Sequence, residues 1–359
     1  MNSKNSKRKM KKILITIFSV FIVLLLVPIL YFMICNWIYP GKTDDEKIAY
    51  IKQHQWRLDD DCAIKDTSLF EEVRTPAVFI LGEIHGFSRN QIFDAELLKY
   101  LNKKFGVTDY FNENFTEDAN LLNRFLETSP MNVEILKQTM ASLKDNIPQR
   151  YNQEYIDKWV SIYQYNQALP KGKKIKVYGL LGNKADFKGM RDSTMIANYK
   201  SMRTEFSDSA SIFCSTGQGH VFQANYSGIQ PFGAWLKANG SHVVSIAHLA
   251  LKSYAYIPKG AGMPTPDNEL SEWLSIDGPI MYFQNIVNFN KAFDSPTIAL
   301  CKLDAKNSPF SQGLDIVKQH STISFLTGGN ISPDESCSTT DYFQYVFVTK
   351  GLKGPKLMK

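Results

Sequence analysis

The chain of 359 residues has no G-x-S-x-G, no H-E-x-x-H and no G-x-x-x-x-G-K-[ST] loop. Those absences argue against a serine hydrolase built on a nucleophile elbow, a zincin and a nucleotide-driven enzyme. Cysteine is scarce. Of five, none lies in a C-x-x-C pair, so a zinc ribbon is excluded. Cys62, Cys214, Cys301 and Cys337 allow three disulfide pairings, and sequence does not choose among them. Histidine is scarcer for its chemical weight, with six in the chain. Net charge is also slight once its origin is seen. The value is +6, and Lys4, Lys7, Arg8, Lys9, Lys11 and Lys12 supply all of it. The remainder is neutral, which leaves no nucleic-acid footprint.

Those six cations precede a long apolar run, residues 13–39. As a helix at ~1.5 Å per residue it reaches about 40 Å, beyond the ~30 Å hydrocarbon core of a bilayer. It is too long for a signal-peptide h-region, and no small-x-small cleavage site follows. Ile34 before Cys35 is also wrong for a lipoprotein signal. The expectation is a cytoplasmic tail at 1–12 and a signal anchor at 13–39, with the rest outside the cytoplasm. That compartment permits disulfides.

Beyond a linker and lead-in helix at 40–74, apolar strands alternate with helical patterns. This argues for an α/β domain over 75–350 with a largely parallel central sheet and flanking helices. A helical insertion is expected at about 117–169, and 351–359 is a short basic tail. Hydrophobic residues make up 44% of the chain, enough for a sizeable core.

Two strand endings stand out. Ala77–Leu81 runs into Gly82-Glu83-Ile84-His85-Gly86, and Ser211–Thr216 runs into Gly217-Gln218-Gly219-His220. Each is an apolar strand that ends in Gly-x-x-His. Ligands of open α/β sheets bind at the carboxyl ends of strands. Two such endings can bring two imidazoles and a carboxylate to one rim. Glu83 beside His85 can orient the imidazole, raise its basicity or share a metal with it. Glu113 closes the strand 107–112. Arg191-Asp192 opens a helix at 190–206, where an arginine can fix a substrate anion or an active-site glutamate. Cys214 reads as a small apolar residue in a buried strand. His54, His242, His248 and His320 lack flanking chemistry.

These blocks, in this order, resemble the erythromycin-esterase-like family and the wider superfamily of TraB/Tiki proteases and ChaN haem-binding proteins. Leu81–Gly86 is similar to the first family motif, and Glu113-Asn114 to its second strand end. Arg191-Asp192-Ser193-Thr194-Met195-Ile196-Ala197-Asn198 is similar to its Arg-Asp-x-x-Met-x-x-Asn helix, Gly219-His220-Val221 to its second histidine block, and residues 341–346 to its closing strand. The resemblance implies a hydrolytic site of Glu83, His85, Glu113, Arg191 and His220. In esterase-like members a histidine activates water without metal. In Tiki-like members paired Gly-x-x-His motifs go with a divalent metal, which here implies His85, His220 and Glu113 as ligands. Thr216–Gly219 lacks the further histidine of the esterase pattern, which argues against macrolide hydrolysis. The expected partners are a small-molecule or peptide substrate and the membrane. The alternatives are a ChaN-like haem or iron binder, and a catalytically silent scaffold.

Overall fold

A computed structural model of the chain describes residues 2–187, 189, 192–202, 207, 209–258, 270–273, 277, 281–321, 330–356 and 358. Its centre is an eight-stranded sheet. In chain order the strands are β1 (Gln55–Arg57), β2 (Val78–Glu83), β3 (Asp109–Asn112), β4 (Lys176–Gly179), β5 (Ile212–Gly217), β6 (Val243–Leu251), β10 (Thr297–Lys302) and β12 (Tyr345–Lys350). Two ribbons lie outside it. One pairs β7 (Ala255–Pro258) with β8 (Leu270–Trp273), the other β9 (Met281–Phe283) with β11 (Gln319–Ser321).

Across the sheet the order is β1-β10-β12-β6-β2-β5-β3-β4. The six strands from β12 to β4 are parallel, while β10 runs antiparallel to β12 and β1 antiparallel to β10. The chain passes from β2 to β3 and β4, then returns to place β5 between β2 and β3. It next adds β6 on the far side of β2. The crossovers diverge at this point, and in open α/β sheets ligands bind at the carboxyl ends of the strands beside such a switch, here β2, β5 and β3.

Every residue of β2 and β6 is buried, as expected where helices cover both faces. Alternate residues serve opposite cores. Val78, Ile80, Ile212 and Cys214 face one, and Phe79, Leu81, Phe213 and Tyr110 the other. The second core is closed by α3 (Asn90–Phe105), α4 (Thr116–Glu127), α5 (Val133–Asn146) and α6 (Gln153–Ala168). The last three are the expected helical insertion. The first core is closed by α2 (Asp45–Gln53), α7 (Asp192–Ser201), α8 (Phe232–Ala238) and α9 (Val287–Ala292). The ends obey ordinary capping rules. Asn132 and Asn152 side chains accept from the first turns of α5 and α6, and Gly106 closes α3 in the left-handed conformation.

The α/β class and the mainly parallel sheet agree with the sequence reading. Boundaries moved. β2 runs two residues past the expected Ala77–Leu81 and β5 one past Ser211–Thr216, so Glu83 and Gly217 are themselves strand residues. The segment before residue 75 supplies an edge strand, β1, where irregular chain was expected. Most of 256–278 lies outside the described residues, and described segments within and beside it form the β7–β8 ribbon. All five cysteines are free, and Cys62, Cys214 and Cys301 are buried, so none of the three possible pairings forms. One further helix, α1 (Asn2–Ile38), precedes the domain and contains Pro28. It is long and apolar enough to cross a membrane.

Candidate active site

The site is built from three adjacent strand ends. β2 finishes on Glu83, whose side chain is buried. The following turn carries His85, and its Nδ1 lies 3.1 Å from Glu83 Oε1. An ionised carboxylate only accepts, so Nδ1 carries a proton and donates. Glu113 follows β3. Its backbone N–H donates to the Ser215 carbonyl at 3.1 Å, which continues the strand register and sets the carboxylate beside the end of β5. There the Gly217 N–H donates to Glu113 Oε2 at 2.8 Å. A single 3₁₀ turn, Gln218–Val221, then brings His220 back over the rim.

His85 Nε2 lies 3.8 Å from Glu113 Oε2, and His220 Nε2 lies 3.8 Å from Glu113 Oε1. Neither separation is a hydrogen bond. Both imidazoles therefore turn an available nitrogen toward one carboxylate. A second carboxylate–imidazole pair mirrors the first. His220 Nδ1 donates to Asp192 Oδ1 at 2.7 Å, and the same oxygen accepts the Phe232 N–H at 2.7 Å. Burial works to lower the His220 pKa, but the Asp192 hydrogen bond and the Glu113 charge outweigh it, and the net shift is upward.

Gly217 explains the open space between these groups. A Cβ there would lie 3.4 Å from His85 Nε2, 3.6 Å from Glu113 Oε2 and 3.7 Å from His220 Cδ2. Its φ is −60°, which any residue adopts, and those distances are ordinary van der Waals contacts, so a methyl would fit and would occupy the space between the groups.

The two glutamates share one cation. Arg150, 2% exposed, sits in the turn between α5 and α6. Its Nε donates to Glu83 Oε2 at 3.0 Å, Nη2 to Glu113 Oε2 at 3.2 Å and Nη1 to the Glu113 carbonyl at 3.3 Å. Burial alone would raise the Glu83 pKa. The Arg150 charge and the His85 hydrogen bond reverse that and hold the carboxyl well below its ordinary range.

Four of the five expected residues, Glu83, His85, Glu113 and His220, therefore converge. Arg191 lies outside the described residues. Sequence reasoning missed Arg150, which performs the glutamate-holding role assigned to Arg191. It also gave no role to Asp192, the neighbour that orients His220. Asp192 had a signal, being an acid in the first turn of a helix. Arg150 had none beyond being an arginine inside an apolar helical block.

His248, read as an inert strand residue, packs behind the site. Its Nδ1 accepts the Ile84 N–H at 3.4 Å, and its Nε2 lies 3.2 Å from Thr349 Oγ1. Burial pushes its pKa down to about 3, so the ring is neutral.

The donor set does not fit a divalent ion. Among the described residues no group of three or more His, Cys, Asp or Glu is placed to hold a metal. Arg150 already bonds both carboxylates that a cation would need. A cavity of about 380 Å³ along β4 lies apart from the cluster. Two of its lining amides are engaged with the backbone, Asn123 with both the N–H and carbonyl of Val177 and Asn198 with the Leu180 carbonyl.

Comparison with known proteins now bears on this geometry. No family model and no curated protein matches the chain. Solved structures do. A Bacillus cereus protein superposes with a TM-score of 0.60 at 13% identity, over 89% of this chain and all of that one. A succinoglycan biosynthesis protein gives 0.59 at 12%, over 89% and 100%. A mutant erythromycin esterase in its open conformation gives 0.55 at 12%, over 82% and 95%. At such identities the likeness is one of fold.

Proposed function

We propose that this chain is a membrane-anchored hydrolase that activates water at His85 for ester cleavage, with its α/β domain outside the cytoplasm. The observation that carries this reading is the pair of carboxylate–imidazole dyads, Glu83–His85 and Asp192–His220, facing one buried glutamate across the bare Cα of Gly217. The likeness in fold to an erythromycin esterase supports the ester class. The cations at the N-terminal end of α1 support the orientation.

In this reading Glu83 holds His85 in the tautomer whose Nε2 is basic, and that nitrogen takes a proton from water. The hydroxide equivalent attacks the ester carbonyl. His220, whose pKa the Asp192 hydrogen bond and the Glu113 charge raise, donates in its protonated form to the oxyanion or the departing alkoxide. Glu113 is fixed by Arg150 and the Gly217 N–H, so its negative charge stays in place while a proton moves between the rings. No step needs a metal.

The test is a panel of p-nitrophenyl esters and short peptides presented to the purified full chain in detergent. Ester turnover that falls about 10²–10⁴-fold in His85→Ala, the usual worth of a general base, supports the reading. Equal turnover in parent and variant overturns it.

A further inference from the structure

The sequence reading makes residues 40–47 a linker, yet this segment is stitched to the domain. The Asn285 N–H donates to the Tyr39 carbonyl at 2.8 Å, Val287 N–H to the Pro40 carbonyl at 2.9 Å, and Asp44 N–H to Asn288 Oδ1 at 2.8 Å. Gly41, at φ +80°, presses so close to Asn285 that a Cβ would fall 2.4 Å from its Oδ1. The last turns of α1 are docked as well. The Tyr39 ring stacks on His320 of β11 with centroids 5.0 Å apart, and it also meets Tyr282 of β9 at 6.0 Å. Tyr31 contacts His320 through its hydroxyl, and Cys35 is buried. The domain thus grips α1 over its final two turns.

Length then sets the depth. Lys12 closes the basic tail and Tyr31 lies nineteen residues on, about 28 Å along a helix. The hydrocarbon core is ~30 Å thick. With Lys12 at one boundary, Tyr31 is at the other, and His320 and Tyr282 stand at headgroup level. Trp37, 82% exposed, and Met33 and Ile34 on the remaining face of α1 extend an apolar and aromatic surface through the same layer.

The same end of the sheet holds the site. α9, which receives the anchor, leads into β10, whose first residue Thr297 pairs with Lys350, the last of β12. Lys350 Nζ donates to the Asn290 and Phe293 carbonyls there, both at 2.6 Å. That is the end where β2 and β5 deliver Glu83 and Gly217. β2 is two strands from β12, about 10 Å away.

We propose that the β9–β11 ribbon and the last turns of α1 form a bilayer-contact surface, which turns the catalytic rim toward the lipid headgroups. The occupant is lipid because the surface continues the apolar face of the span and lies at its outer boundary. This inference rests on α1 lying in a bilayer and is independent of the hydrolytic chemistry.

The test uses the full chain in phosphatidylcholine vesicles, in a Cys337→Ser background. An NBD label is placed by Lys318→Cys beside the ribbon, by Tyr254→Cys on the rim, or by Asn239→Cys at the opposite end of the sheet. Flotation after carbonate washing first establishes that α1 is inserted. Headgroup-nitroxide lipid should then quench the labels at 318 and 254 about twofold more than that at 239, since the ends of a six-residue strand are about 20 Å apart. Equal quenching at all three positions overturns the surface. Quenching at 318 but not at 254 overturns the orientation of the rim. Self-quenching at 318 that falls on dilution with lipid overturns lipid as the occupant in favour of a second copy.

Discussion

Two buried charge clusters lie one above the other between the sheet and helices α3 and α6, and they do different things. The lower one joins Lys158 Nζ to Asp94 Oδ2 at 2.5 Å and to the Tyr110 hydroxyl at 2.8 Å, while Tyr110 and Ser215 donate to the same Asp94 oxygen at 2.7 Å each. The upper one holds Arg150 against Glu83 and Glu113. Gln91 links them, donating to Glu83 Oε2 at 2.6 Å and accepting from Lys158 at 3.3 Å. Both pair carboxylates with a cation that water scarcely reaches. The difference is in what else attends. Lys158 and Asp94 side chains are 1% and 2% exposed, with one Asp94 oxygen left unpartnered inside the protein. The upper carboxylates are instead met by imidazoles that are 21% and 17% exposed. A buried ion pair alone holds elements in register; beside reachable imidazoles it becomes a fixed electrostatic background for proton transfer.

That contrast can be broken by mutation. The largest expected effect is on chemistry. His220→Ala, like His85→Ala, should cut ester turnover about 10²–10⁴-fold while the thermal midpoint stays near that of the parent. A collapse of the midpoint instead would make the rim structural, like the layer below. Lys158→Met should do the reverse. It strands the Asp94 charge and should cost about 3–5 kcal/mol in urea unfolding, the usual toll for breaking a buried pair. A variant as stable as the parent would show that the Lys158–Asp94 pair does not hold the layer together.

Gly217→Ala sharpens the comparison at its centre. The backbone accepts alanine, so stability should hold, whereas the added methyl displaces whatever sits between the rings and should lower turnover by about 10²-fold. Unchanged turnover would mean that the reacting atoms lie elsewhere. The smallest effect is on stability against pH. The folded pKa of His220 is raised above the ordinary value of about 6.5. Its contribution is therefore complete below the unfolded value and is lost as pH rises through the folded one. Asp192→Asn should flatten that decline in a series of urea titrations, and an undiminished slope would assign it to another group.

Much of this was legible in the chain because short-range pattern carried it. Gly-Glu-x-His and Gly-x-x-His mark sharp turns after apolar runs, and the parallel sheet brought both turns to one edge. The order of strands was not legible. Nothing local says that β5 inserts between β2 and β3, yet that insertion is what sets His220 across from His85. Arg150 was invisible for a related reason. Its partners are far away in sequence, and only the docking of the α5–α6 turn beneath the rim brings them within reach. The tight union of residues 39–44 with 285–288 was hidden likewise, because a run with Pro, Gly and charges reads as a linker whether or not a distant backbone binds it.

The central claim is that two imidazoles around Glu113 activate water without a metal. Its most direct measurement is ester turnover by the full chain in excess chelator, compared with the untreated enzyme. The account predicts unchanged turnover in chelator. Activity abolished by chelation and restored by a divalent ion would contradict it.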